Sequence, residues 1–325
     1  MAGPAAQKLI ALGDVSLKTM CIRSSSGDWA IVDGAVSALG EGVTVTRTLP
    51  LPVQPAGTTL FDVDGDAALV RTDGELFLIQ PDGTTTLPIP GADMAKFVPA
   101  GILAAAPQDD DGHKLVLLTR EGAVVAEHVD AEAKDAAASI LVHPSGTAAV
   151  VELAMGQDGC VTLEADLRGG TLEVRPFVVS DDYVVSEFSG DGTRLLLSAH
   201  PNSGEAIAVM DWASRTIVDT LTAASVMPDE MEDAAFDLYA SWVAPGCIVA
   251  ATTQTGLHVV VTDGQLGTAR LEPLPDFKPT PHPDDAEIMW LYPVSSRRFV
   301  ARVWLDGEQM TRLYEVQASP RAHEG

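Results

Sequence analysis

Cysteine is scarce: Cys21, Cys160 and Cys247 are the only three in 325 residues. Three scattered thiols exclude a disulfide framework and a thiolate zinc site. Bases are also few, with 20 Lys and Arg against 46 Asp and Glu, which leaves a formal charge of −26. Such an excess of acid repels phosphate instead of neutralising it, so the composition argues against a nucleic-acid partner. It equally opposes docking on anionic membranes. No apolar run approaches the roughly 18 residues of a membrane span. Near the start only residues 9–12 are continuously apolar before Asp14, which is too short for a secretory signal. The expectation is a soluble, cytoplasmic protein, and the cysteine usage suits a reducing compartment. A hydrophobic fraction of 46% still excludes a disordered chain.

A sustained helical stripe is also missing. The nearest segment, 130–139, has good helix formers but no large apolar anchor. What is present is a series of short Val, Leu, Ile and Ala runs cut by Gly, Asp and Pro, as at 67–71, 75–79, 114–118, 148–153, 194–199, 206–211, 247–252 and 299–305. The pattern repeats. A small turn, an apolar strand, a polar turn and a second apolar strand recur after Gly27, Gly65, Gly101, Gly146, Gly192, Gly246 and Ser296. The mean spacing of about 45 residues matches a four-stranded propeller blade. The competing architectures are a β-sandwich or two smaller β domains, but no linker-like break interrupts the pattern.

One copy is explicit enough to name. Phe188-Ser189-Gly190-Asp191-Gly192, then Val209-Met210-Asp211-Trp212 with Ser214-Arg215, resembles the turn and third strand of WD40-like repeats. Residues 140–151 are a second, weaker match. Met210-Asp211 stands where that family commonly has Trp-Asp, and the family's Gly-His dipeptide does not occur at the blade starts. The resemblance is to the WD40-like and YVTN-type seven-bladed β-propeller superfamily, and it implies a fold and no particular activity. The expected fold is all-β, with seven blades of four antiparallel strands. Closure would come from residues 8–12 pairing as the fourth strand of the last blade, beside 287–293, 298–305 and 309–316. Residues 1–317 form one domain in this reading, and 318–325 a frayed tail.

In a propeller, inter-blade links and the turns between strands two and three emerge at one end. The other turns emerge at the opposite end. Sorting the loops this way puts most of the acid at the first end, including Asp93, Asp181, Asp182, Asp229, Glu230, Glu232, Asp233, Asp284 and Asp285. The opposite end is nearly balanced by arginine. The bland explanation is solubility. The functional one is a docking face for a basic protein partner, with salt-sensitive association. The longest loop, 223–236, adds Val226, Met227 and Met231 beside its acids. It is either a flexible insertion or an adaptable contact surface.

Catalytic motifs are weak. Asp62, Asp64 and Asp66 alternate as hard-oxygen ligands would in a calcium loop. The run occurs once, however, and no acid follows at the closing position, so an ordinary turn is the simpler reading. The seven histidines fall at different points of the repeat. No nucleophile elbow, metalloprotease spacing or phosphate loop occurs. Trp242, Trp290, Tyr292 and Trp304 read as packing between blades. The expected function is therefore a non-enzymatic scaffold for protein–protein interaction, with no cofactor. Its expected contact residues are Asp181, Asp182, Asp229, Glu230, Met231, Glu232, Asp233, Asp284 and Asp285. The alternatives are a metal-dependent propeller hydrolase or lactonase with a site in the central channel, and a propeller that binds a small ligand or glycan.

Overall fold

The structure is a computed structural model. It describes residues 8–15, 17, 21–24, 26–51, 57–108, 112–156, 159–200, 203–228, 231, 233–262, 266–275, 277, 286–294 and 297–317. Among the described residues, twenty-eight strands make seven four-stranded sheets. β1 (Lys8–Asp14) belongs to the last sheet. Blade 1 is β2 (Ile22–Ser24), β3 (Gly27–Val32), β4 (Ala35–Leu39) and β5 (Val45–Pro50). Blade 2 is β6 (Thr59–Asp64), β7 (Ala67–Thr72), β8 (Glu75–Gln80) and β9 (Gly83–Thr86). Blade 3 is β10 (Met94–Val98), β11 (Gly101–Pro107), β12 (His113–Leu118) and β13 (Val124–Asp130). Blade 4 is β14 (Ala137–Val142), β15 (Ala148–Ala154), β16 (Cys160–Asp166) and β17 (Glu173–Pro176). Blade 5 is β18 (Tyr183–Phe188), β19 (Arg194–Ala199), β20 (Ala206–Asp211) and β21 (Thr216–Thr222). Blade 6 is β22 (Ala235–Ala244), β23 (Cys247–Thr253), β24 (His258–Val261) and β25 (Arg270–Pro273). Blade 7 is β26 (Ala286–Pro293), β27 (Arg298–Leu305), β28 (Glu308–Gln317) and β1. All pairings are antiparallel, and the order within each sheet follows the blade.

The chain clusters into two compact units. Blades 1–4 make one of them; blades 5–7, with residues 1–17 and 41–43, make the other. In each, the second and third strands have sheet neighbours on both edges and side chains buried on both faces. This explains why they read as nearly unbroken apolar runs. Residues 101–106 of β11 are all buried, as are 195–199 of β19 and 247–252 of β23. Fourth strands are mostly exposed, and β9 is exposed throughout.

The turn residues that marked the repeat occupy one structural position, between the first and second strands of each blade. Six of the seven are described, and all six have positive φ (Gly27, Gly65, Gly101, Gly146, Gly192, Gly246). Ser296 lies outside the described residues. At Gly101 the requirement is absolute: φ is +142°, and an added Cβ would sit 1.9 Å from the Leu118 carbonyl oxygen.

The closing strand forms as expected. Lys8 faces Gln317, Leu9 faces Val316 and Ala11 faces Tyr314. Leu9 is 5% exposed and joins a core with Tyr314, Val316, Phe299, Val249 and Val259. Segment 130–139 is the end of β13, a turn and the start of β14, with no helix. In the long loop, α1 (Ala223–Val226) leads into Met227, which is 8% exposed and packs against Phe236 and Ala240. Met227 is therefore core, seated against the first strand of blade 6.

Candidate protein-interaction surface

Three sequence-singled acids are engaged inside blades 1–3. Asp62 is 7% exposed. It accepts the Phe97 N–H at 2.9 Å and lies 3.9 Å from Lys96 Nζ, which itself donates to the Phe61 carbonyl. Burial raises its pKa, and Lys96 and the Phe97 N–H oppose that rise. Asp64 takes Arg120 at 2.6 Å, whose guanidinium also lies 4.5 Å over the Phe97 ring. Asp66 takes Arg47, which covers Trp29. The three carboxylates point at separate cations and do not converge as a calcium loop does. Among the described residues no group of three or more His, Cys, Asp or Glu side chains is placed to hold a metal ion.

Asp62 belongs to a recurring device. Glu187 Oε2 accepts the Trp242 N–H at 2.8 Å, from the first strand of the next blade. Asp93 Oδ2 accepts the Ala138 N–H at 2.8 Å, and its other oxygen lies 3.3 Å from Nε2 of His113, which is fully buried. Asp219 accepts the Leu266 N–H at 2.8 Å. Each is a charge-assisted bond tying one blade to the next. Asp93, expected on the acidic loop face, therefore does not belong to a solvated surface. Its carboxylate is consumed by a neighbouring backbone.

The remaining acids divide by position. Where strands one and two, or three and four, are joined, arginine usually answers them. Arg23 meets Asp28, Arg168 meets Asp166, Arg194 meets Asp211, and Arg298 meets both Glu315 and Glu41. Arg168 holds the Asp166 carboxyl down to about 2, and the Thr193 N–H with the Ser189 and Thr193 hydroxyls, all donating to Asp191, hold its carboxyl down to about 2. At the other end of blades 5–7, Glu205, Asp233, Asp237, Glu287, Asp306 and Glu308 form no ion pair with the described residues. In blades 1–4 the same holds for Asp73, Glu75, Glu132, Asp135 and Asp181.

The densest part of this surface is on β22. Phe236 faces Thr252 and Ala240 faces Ala250, so Asp237, Leu238 and Tyr239 bulge from the ladder. Leu238 is 39% exposed. Asp237 Oδ1 accepts the Leu238 N–H at 2.6 Å. Burial, and then the charge of Glu287, push the Asp237 carboxyl up. Burial, Asp237 and Glu287 together push up the Tyr239 phenol. Two like charges beside an exposed leucine and a tyrosine offer a site that a cation would relieve. In the sequence Asp237 and Glu287 look like any other loop acids. The three-residue bulge that brings them together leaves no mark in the apolar pattern.

Of the residues expected to bind a partner, Asp181 and Asp182 are exposed on the link before β18, and Asp233 is exposed before β22. Met231 is half-buried and accepts the Ala234 N–H through its carbonyl. Asp229, Glu230, Glu232, Asp284 and Asp285 lie outside the described residues. Trp290 is 6% exposed, and Trp242 packs against the core of blades 5 and 6. No described helix is long and apolar enough to cross a membrane.

No family model matches the chain, and no curated protein matches it. Solved structures do. A structure described as YCF48 bound to D1 peptide aligns with a TM-score of 0.55 at 15% identity, over 98% of this chain and 99% of that one. A chain of the mitotic checkpoint complex aligns with a TM-score of 0.57 at 9% identity, over 96% and 95%. The Dos1 propeller aligns with a TM-score of 0.55 at 14% identity, over 92% and 82%. With its seven four-stranded blades, the chain has the fold of the WD40-like seven-bladed β-propellers.

Proposed function

We propose that this chain is a non-catalytic scaffold that binds a protein with a basic surface, through the acid-lined end of blades 5–7. The observation that carries the reading is the unequal pairing of charge. Arginine answers most acids at one end of these blades, whereas Glu205, Asp233, Asp237, Glu287, Asp306 and Glu308 have no basic partner among the described residues. Unanswered carboxylates raise the local concentration of cationic partners and speed their association. The likeness to a propeller bound to a peptide, and to one within a multi-protein complex, supports a protein partner over a small substrate. Asp181, Asp182 and the acids of 229–233 and 284–285 extend the same reading. Residues 1–317 act as one domain in it, and the protein works in the cytoplasm.

The test is fluorescence-anisotropy titration with a panel of Lys/Arg-rich peptides at about 50 and 300 mM salt. Binding that weakens at least tenfold across that range, and again in the double variant Asp237→Asn, Glu287→Gln, supports the reading. Binding indifferent to both salt and the double substitution rejects it.

A further inference from the structure

Blade edges are the obvious hazard of this fold. Each fourth strand carries a row of free backbone N–H and C=O groups to which another extended chain can add. Here those edges also carry exposed apolar residues: Leu12, Val45, Val124, Val125, Ile217 and Val218 are 43% to 50% exposed. Valine and isoleucine on an open edge are the composition that promotes strand addition.

The register of the seven edges follows a rule. The long fourth strands are β1, β5, β13 and β21, each of 6 or 7 residues. Every one holds a single extra residue. In β1, Ala11 faces Tyr314 and Gly13 faces Leu313, so Leu12 is extra. Thr46 is extra in β5, between the Leu39–Val45 and Ala38–Arg47 pairs. Val125 is extra in β13, between Leu118–Val124 and Leu117–Ala126. Val218 is extra in β21, between Met210–Ile217 and Val209–Asp219. The other fourth strands, β9, β17 and β25, have 4 residues each and an unshifted register. β17 and β25 end in Pro176 and Pro273, which have no N–H to offer.

A bulge breaks the alternation of donors and acceptors that an incoming strand must match, and it twists the edge. In the long strands it leaves regular stretches at 8–11, 47–50, 126–130 and 219–222, no longer than the short edges or one residue more. Leu12, Val45, Val124, Val125, Ile217 and Val218 sit at or beside the interruptions, and Val129, 43% exposed, lies in the regular stretch of β13. We infer that the one-residue bulges in β1, β5, β13 and β21 are a device against strand addition, limiting every blade edge to a stretch too short to template another copy of this chain. Odd-numbered blades use the bulge, and even-numbered blades use brevity.

Deleting one bulged residue restores a straight edge of 6 residues in β13 or β21. The experiment compares the parent chain with variants lacking Val125 or Val218, by light-scattering mass across a hundredfold concentration range. Salt of about 0.5 M screens the net charge of −26, which would otherwise mask association. A variant lacking Thr85 from the already short β9 controls for deletion itself. The expected result is a concentration-dependent mass at least twice that of the parent for the Val125 and Val218 deletions and not for the Thr85 deletion. Adding Val129→Lys to the Val125 deletion restores the parental mass. Deletion variants that melt cooperatively and keep the parental mass overturn the inference. Loss of a cooperative melt in both also overturns it, because the bulges would then serve the blades' own folding.

Discussion

Leu9 tests the closing strand with a single side chain. It is 5% exposed, is contributed by β1, and packs with Tyr314 and Val316 of β28 and with the third-strand residues Val259 and Val261. Leu9→Ala removes three buried carbons and leaves a cavity that the surrounding strands only partly fill. Such changes cost about 2–5 kcal/mol, and the 0% exposure of both Tyr314 and Val316 places this site in the middle of that range, near 3 kcal/mol. At roughly 2 °C per kcal/mol for a chain of this size, the melting temperature falls by about 6 °C. Differential scanning calorimetry gives the number directly. The apolar run of β1 identifies the partner: an added peptide spanning 6–16 should recover a chain lacking residues 1–14 but should not alter the parent. A Leu9→Ala shift under about 1 °C would refute the reasoning, since it would mean that β1 lies on blade 7 without stabilising it.

Two further outcomes follow from single residues. The Asp28 carboxyl is pushed by burial up to about 6, against the lowering influence of Arg23. The native state thus holds a proton that the unfolded chain releases near 3.8, and stability falls as pH rises between those values, by about 3 kcal/mol in total. Asp28→Asn should flatten that decline, with no gain at pH 4 and the full gain at pH 7; parallel melting profiles for the two proteins across this range would contradict it. Gly101→Ala should destabilise by at least about 3 kcal/mol, because its Cβ meets the Leu118 carbonyl. Gly65→Ala, which meets nothing within 4 Å, should cost only about 1–2 kcal/mol for its positive φ. Equal chemical-denaturation midpoints for the two variants would refute the distinction.

The blade count was legible because the same turn repeats. Gly27, Gly65, Gly101, Gly146, Gly192 and Gly246 all need a backbone that side chains resist, so the turn leaves a residue-level mark at each blade. The second strands were legible for a different reason: burial on both faces demands unbroken apolar runs. What stayed hidden were the carboxylate clamps. Asp62, Asp93 and Glu187 bind backbone N–H groups of the following blade, 35 to 55 positions away. A backbone donor carries no identity in the sequence, so a buried acid with such a partner looks like any exposed one. The β22 bulge was hidden likewise, since Asp237, Leu238 and Tyr239 alternate polar and apolar as an ordinary strand would.

Blade 7 is stitched from both ends of the fold, and the Asp14–Arg312 pair spans 298 residues. On the ribosome, at roughly 5–20 residues per second, β1 emerges about 15–60 s before the strand that receives it. Throughout that interval Leu9 has no core to enter. The order of manufacture is thus the reverse of the order of need, and the last blade locks only when β28 has been made and meets the waiting β1.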